Sequence, residues 1–351
     1  MAYTTIDDGS EYFTITLYTG NGADGRAITN SANAGNFQPD WLWYKERSST
    51  SEHRSFDSSR GASKRIEPNN TNAEATDTTN HQSFDSNGFT IGNSGSTNAN
   101  GDTYVSWQWK ANSGTTSSNT DGTITSTVQA NTTAGFSIVT YTGNATNGAT
   151  IGHGLGAVPQ VIIKKNRADN GTEWNVYHHS IGNTKSLFLN TTEAATTESA
   201  YNNTSPTSSI QTINGSGANN GDGDNMIAYF FTPIKGYSKF GSYTGNGNAD
   251  GTFVYTGFKP AWVMTKRTDS SQNWAMYDNK RDGINVIDKL LYPNGTDAEV
   301  TTGGSLMVDF LSNGFKWRGN SAISNGSGNH IYMAFAEHPF VSSKGVPITA
   351  R

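Results

Sequence analysis

One pattern occurs three times along this chain. It begins Phe37-Gln38-Pro39-Asp40-Trp41-Leu42-Trp43-Tyr44-Lys45. It returns as Ala157-Val158-Pro159-Gln160-Val161-Ile162-Ile163-Lys164-Lys165 and as Phe258-Lys259-Pro260-Ala261-Trp262-Val263-Met264-Thr265-Lys266. In each copy a Pro opens the segment and a Lys lies six residues later. An aromatic followed by a polar residue comes next, at Phe56-Asp57, Tyr177-His178 and Tyr277-Asp278. A third block aligns Pro68-Asn69-Asn70-Thr71-Asn72-Ala73-Glu74 with Pro293-Asn294-Gly295-Thr296-Asp297-Ala298-Glu299, and more weakly with Leu189-Asn190-Thr191-Thr192-Glu193-Ala194. Each copy is preceded by Tyr-Thr-Gly-Asn, at Tyr18, Tyr141 and Tyr243. A repeat this long means duplicated domains, not a solenoid of short units.

The hydrophobic signal has period two. Trp41 and Trp43 fall on one side of a strand, Leu42 and Tyr44 on the other, and Tyr104 to Trp109 alternates in the same way. Late strands are expected at 226–231 and 331–335. The strand before the late one is announced by Asn87-Gly88 and by Asn313-Gly314, a usual tight-turn dipeptide. Helix signals are weak, with a turn or two at 194–200. Charged residues make up only 15% of the chain and net charge is −5. Low apolar content can mean disorder, but aromatics reach 11% and sit in alternating runs, so small cores are expected. The fold class predicted is all-β: three tandem related antiparallel β-sandwich (jelly-roll-like) modules. Their boundaries are 1–111, 135–235 and 236–345, with a Ser/Thr/Asn-rich flexible linker at 112–134 carrying one strand at 123–128, and a C-terminal tail at 346–351. The second and third modules are expected to pack rigidly, the first to move.

Composition excludes several functions. With no Cys there are no disulfides and no Cys-based zinc or redox sites. The first residues have neither a basic start nor an apolar run, so no signal peptide is expected, and no run approaches the roughly 18 apolar residues of a spanning helix. Mild acidity without a basic cluster argues against a nucleic-acid partner.

Candidate chemistry is sparse. Gly20-Asn21-Gly22-Ala23-Asp24-Gly25 fits the letter of a dinucleotide fingerprint, but no helical stripe follows to hold a pyrophosphate. Asp222 and Asp224 offer oxygen ligands without the Glu that completes an EF-hand loop. His178, His179 and His153 are the best metal or base candidates, yet His178 aligns with Asp57 and Asp278, which makes it a polar position of the repeat. Glu337 beside Phe335 is the one Glu in an apolar context. No catalytic residue, metal ligand or cofactor is assigned. Eight Trp residues invite a sugar-stacking reading, although large aromatics more often fill cores. Trp317, between Lys316 and Arg318 and aligned with Ile91, is the Trp expected to be exposed. Lys316, Trp317 and Arg318 are the ligand-binding candidates, with the Gly/Asn-rich loop to Asn329 beside them.

Several segments carry a resemblance. Met1-Ala2-Tyr3-Thr4-Thr5-Ile6-Asp7-Asp8 with Pro39-Asp40-Trp41-Leu42-Trp43-Tyr44-Lys45, Gly152-His153-Gly154-Leu155-Gly156, and Tyr332-Met333-Ala334-Phe335-Ala336-Glu337-His338-Pro339-Phe340 resemble an uncharacterised repeat-containing family of virion structural proteins of marine tailed bacteriophages. The similarity runs through the whole chain, to Thr349-Ala350-Arg351. It implies a non-enzymatic component of the virion surface, foremost a tail fibre or host-adhesion protein. Its partners would be other virion proteins and a host-envelope glycan or protein, and as a fibre it would be a homotrimer. The alternative is a capsid decoration protein, and a more remote one a glycan-degrading tail spike. Membrane insertion is not expected.

Overall fold

Alternating runs broken by Gly- and Asn-rich turns favour strands over helices, and strands form. The structure, a computed structural model, describes residues 3–30 and 36–347. Among these, helix is confined to single turns at Gly9–Glu11, Gly95–Asn98 and Gly217–Asn220. The fold is the all-β sandwich class expected.

Three four-stranded antiparallel units share one strand order. The first sheet runs Phe13–Thr19, Thr103–Trp109, Trp41–Glu46, Arg54–Asp57. The second has Phe136–Thr142, Asn225–Phe231, Val161–Asn166, Asn175–His178 as the middle of an eight-stranded sheet. The third is Ser238–Gly245, Gly328–Pro339, Phe258–Arg267, Ala275–Asp278. Each is backed by a smaller sheet, such as Phe253–Tyr255, Gly314–Trp317, Val308–Leu311 behind the third.

The period-two pattern decides where the cores lie. Trp41, Trp43, Trp107 and Trp109 point to one common core, which they share with Phe136, Val161, Tyr229 and Phe231 of the second sheet and Trp262, Met264 and Phe335 of the third. Leu42, Tyr44 and Phe56 point the other way, into a core closed by the smaller sheet. Both faces of each large sheet are therefore buried. In the common core Trp41 stacks on Tyr229 at 4.3 Å and on Trp109 at 4.4 Å, and Trp109 meets Trp262 edge-on at 5.8 Å. Contacts of this kind contribute about 0.5–1.5 kcal/mol each beyond the area they bury.

The three sheets close on one another through matching seams. Between the first two, Glu74 N donates to Arg167 O (2.8 Å), Gly171 N to Thr71 O (3.1 Å) and Trp174 Nε1 to Glu67 O (2.9 Å). Between the second and third, Ala195 N donates to Thr268 O (2.9 Å), Gln272 N to Thr192 O (2.8 Å) and Trp274 Nε1 to Phe188 O (2.8 Å). Between the third and first, Glu299 N donates to Arg47 O (2.9 Å), Ser51 N to Thr296 O (2.9 Å) and His53 Nε2 to Tyr292 O (3.1 Å). The repeated lysines serve the same places. Lys165 Nζ reaches Thr71 O (3.2 Å) and Thr172 O (2.9 Å), and Lys266 Nζ reaches Thr192 O (3.1 Å) and Gln272 O (2.9 Å), while Lys45 stays on Glu46 O and Ser49 O of its own unit. Burial pushes all three amines down to about 8.

Three expectations are corrected. Residues 112–134 are not a flexible linker: Ser117–Asn119 and Ser126–Asn131 extend the second sheet, and buried Asp40 accepts from the amides of Ala111, Ser113 and Gly114. The first sheet, shut into two seams and the common core, is not a loosely tethered unit. Residues 194–200 form a short strand at Thr196–Thr197, paired with Lys185 and Ser186, not a helical turn. The tight turns expected at Asn87-Gly88 and Asn313-Gly314 do form, closing the pairs Asp85 with Gly88 and Leu311 with Gly314, and each glycine also admits the neighbouring strand, since a Cβ there would lie 2.1 Å from Ile28 O and Val254 O. Of the expected tail, residues 348–351 lie outside the described residues.

Candidate functional site

Lys316, Trp317 and Arg318 do not form an exposed trio. Strand alternation puts Phe315 and Trp317 inward, and Trp317 is wholly buried against Tyr277 (5.5 Å), Phe315 (5.7 Å) and Tyr243 (6.1 Å). The flanking cations point outward instead, Lys316 Nζ to Asp250 (2.7 Å) and Arg318 Nε to Asp309 (2.5 Å). All eight Trp of the chain are fully buried, so no indole is presented to a sugar.

The Gly/Asn-rich loops are tied down as well. Buried Asn325 donates to Asn246 Oδ1 (2.9 Å), Asn248 O (2.8 Å) and Gly319 O (2.8 Å), pinning the loop after Tyr243. Asn98 and Asn220 hold the loops after Tyr18 and Tyr141 in the same manner. Each tyrosine hydroxyl then donates to the carbonyl just before that Asn: Tyr18 to Thr97 (2.9 Å), Tyr141 to Asn219 (2.7 Å), Tyr243 to Ser324 (2.5 Å). This explains the repeated Tyr-Thr-Gly-Asn, and it places the fingerprint-like glycines in a loop that leads into the strand Arg26–Thr29. The loop around Asn325 is consequently part of the scaffold, not a freely variable rim.

The other candidates are dispersed. His178 Nε2 donates to Tyr332 O (3.3 Å), His153 Nε2 to Thr207 O (3.2 Å), and Asp224 accepts from Asn166 Nδ2 (2.7 Å). Glu337 pairs with Lys259 at 2.7 Å. Among the described residues no group of three or more His, Asp or Glu could hold a metal, and no helix is long and apolar enough to cross a membrane.

What is exposed lies one strand from the expected site. On the edge strand Phe253–Tyr255, Val254 points inward while Phe253 and Tyr255 stand 44% and 49% exposed. Phe253 sits directly across from Lys316. Lys239 Nζ donates to Tyr255 O (2.7 Å) and lies 5.1 Å from the Tyr255 ring centre. Tyr3 donates to Gly257 O (2.8 Å), with Lys235 Nζ 4.4 Å over its ring. The patch therefore combines aromatic rings with the amines of Lys235, Lys239 and Lys316. At the same register positions the first and second units carry Ala27 and Thr29, and Thr150 and Gly152. That substitution of small residues by aromatics in one copy was the available sequence signal.

An opening of about 670 Å³ lies in the seam between the second and third sheets, lined by Ile181, Ala195, Tyr243, Thr268, Asp269 and His330 among others.

A family model described as "Domain of unknown function (DUF7483)" matches residues 8–339, spanning all three sheets as one unit. No curated protein and no solved structure matches the chain.

Proposed function

We propose that this chain, which belongs to the DUF7483 family, is a non-enzymatic structural protein of a phage particle, with the third unit serving attachment to the host surface. The observation that carries this reading is the exposed pair Phe253 and Tyr255, set beside the amines of Lys235 and Lys239 where the other two units have small residues. Aromatic faces stack on sugar rings, and the amines would meet carboxylates or phosphates, so a host-envelope glycan bearing acidic groups suits the patch. The resemblance to virion structural proteins and the low-charge surface agree with it.

A second reading, decoration of the capsid, is favoured by a different observation. All three seams close within one chain, so its cores are complete without further copies, which suits a monomer seated on a lattice of other subunits. Copy number separates the two: tens of copies per virion or fewer fit the tail, hundreds the head.

The attachment reading is tested with Phe253→Ala/Tyr255→Ala. Adsorption to host cells should fall at least tenfold while stability stays within about 0.5 kcal/mol, as for surface substitutions. Trp317→Ala should do the reverse and cost about 3–5 kcal/mol, as truncation of a buried Trp does. Unchanged adsorption by the double variant would remove the attachment reading.

A further inference from the structure

The second unit contains a buried reactive pair that its siblings lack. Lys164 and Asn175 lie directly opposite each other on adjacent antiparallel strands, so their side chains leave the sheet on the same face with Cβ atoms about 4.5–5.5 Å apart. That face is the closed core of the second unit, where Ile162 and Tyr177 form the next pair. Lys164 is wholly buried, and its Nζ has no hydrogen-bond partner. Both side chains converge on Tyr201. Lys164 Nζ is 5.6 Å from the Tyr201 ring centre, and the Tyr201 hydroxyl donates to Asn175 Oδ1. At the same positions the first unit has Tyr44 opposite Arg54, and the third has Thr265 opposite Ala275.

An ammonium there would be a buried ion without a counter-charge in contact, which costs several kcal/mol. Burial accordingly pushes the Lys164 amine down to about 7, with the field of Glu198 opposing. A neutral amine is a nucleophile, and the adjacent carboxamide is polarised by the hydroxyl on its oxygen.

We propose that Lys164 and Asn175 form an intramolecular isopeptide bond, stapling the two strands of this hairpin. The Nζ lone pair attacks Asn175 Cγ, and the negative charge that develops on Oδ1 is held by the Tyr201 hydroxyl. A proton passes from Nζ to Nδ2, the Cγ–Nδ2 bond breaks, and ammonia leaves. Nothing is oxidised or reduced, and no cofactor takes part. A covalent staple in one unit suits a protein exposed on the outside of a particle, but the inference does not depend on that reading.

Mass spectrometry of the purified full chain is the test. The protein should be lighter than its sequence mass by one ammonia, and digestion should yield a branched peptide joining residues 164 and 175. Deamidation intermediates at Asn-Gly also lose ammonia. Brief alkaline treatment opens those and leaves an isopeptide intact, so a deficit that disappears under alkali overturns the proposal. Lys164→Arg, which keeps the size and cannot form the bond, should have its full sequence mass. Asn175→Asp should lose water instead of ammonia. A wild-type chain at full mass, or unlinked peptides for 164 and 175, would end the idea whether or not either variant folds.

Discussion

The seam between the first and second sheets is laced with charge, and the equivalent seam between the second and third is not. In the first, Tyr229 donates to Asp57 (2.7 Å), Asp57 holds Arg60 (2.5 Å), Arg60 holds Glu74 (3.0 Å) and Glu74 holds Arg167 of the next unit (2.7 Å). The third-to-first seam repeats the chain as Trp107, Asp278, Arg281, Glu299 and Arg47. In the remaining seam the corresponding residues are Met333, His178, Ile181, Ala195 and Thr268, so every link has changed together. The physical reason is that a buried charge is tolerable only when its partners are complete. Met333 cannot donate, so an Asp opposite it would lack its interfacial partner. His178 is neutral and bonds a backbone carbonyl instead. Without the Arg and Glu side chains the space stays open as the cleft beside Ile181 and Ala195.

The largest effect should come from breaking one complete chain. Asp57→Ala leaves Arg60 buried without its closest counter-charge and orphans the Tyr229 hydroxyl, so we expect a loss of about 3–5 kcal/mol in urea denaturation. His178→Ala removes a buried neutral imidazole with its bonds to Tyr332 O and from Ser180 N and its stack on His179, but strands no charge, so we expect a smaller loss of about 2 kcal/mol. Equal costs at the two positions would show that the seams do not differ as described.

Acid should act next, and on the uncharged seam. Burial, helped by neighbouring His179, pushes His178 down to about 3. A depressed folded value means that its contribution to stability is complete above the unfolded value near 6.5 and is lost as pH falls from there toward 3. One such histidine costs roughly 2 kcal/mol by pH 5. Burial also lowers His53, His81, His153 and His330, so the whole protein will weaken in acid. His178→Asn isolates the seam: it should flatten the pH dependence by one proton, and an unaltered slope would exclude His178 as a contributor.

Much of this was written in the chain, although not the part that joins the units. Strand positions were legible as short apolar and aromatic runs such as 41–44 and 226–231, because both faces of each large sheet are buried. The recurring Lys and the Asp/His/Asp position were visible as repeat features. Their purpose was not, because the groups they bond, such as Thr71 for Lys165, belong to another copy. The charged neighbours of Trp317 suggest an exposed ring, yet Phe315 two residues earlier and Ile91 in the first copy both mark an inward position. Residues 112–134 looked like a linker because Ser and Thr dominate. Their order comes from pairing with the second sheet and from Asp40, which local composition does not reveal.

The smallest effect is also the most discriminating, because it rebuilds what the odd seam lacks. Ile181→Arg alone places a guanidinium beside His178 without a carboxylate, and Ala195→Glu alone places a carboxylate without a guanidinium, so each should destabilise. Together they supply the pair that Arg60 and Glu74 form in the sibling seam, and His178→Asp adds the remaining acceptor. Neighbouring groups in one network couple by about 0.5–3 kcal/mol. With Met333 still unable to donate, we expect the low end, about 1 kcal/mol, read as the difference between the double variant and the sum of the singles in thermal denaturation. The adjacent cleft has room for both new side chains, so a steric penalty should not mask the result. Strict additivity would mean that the charged seams are held by their backbone bonds and aromatic core alone, with the ion chain a passenger.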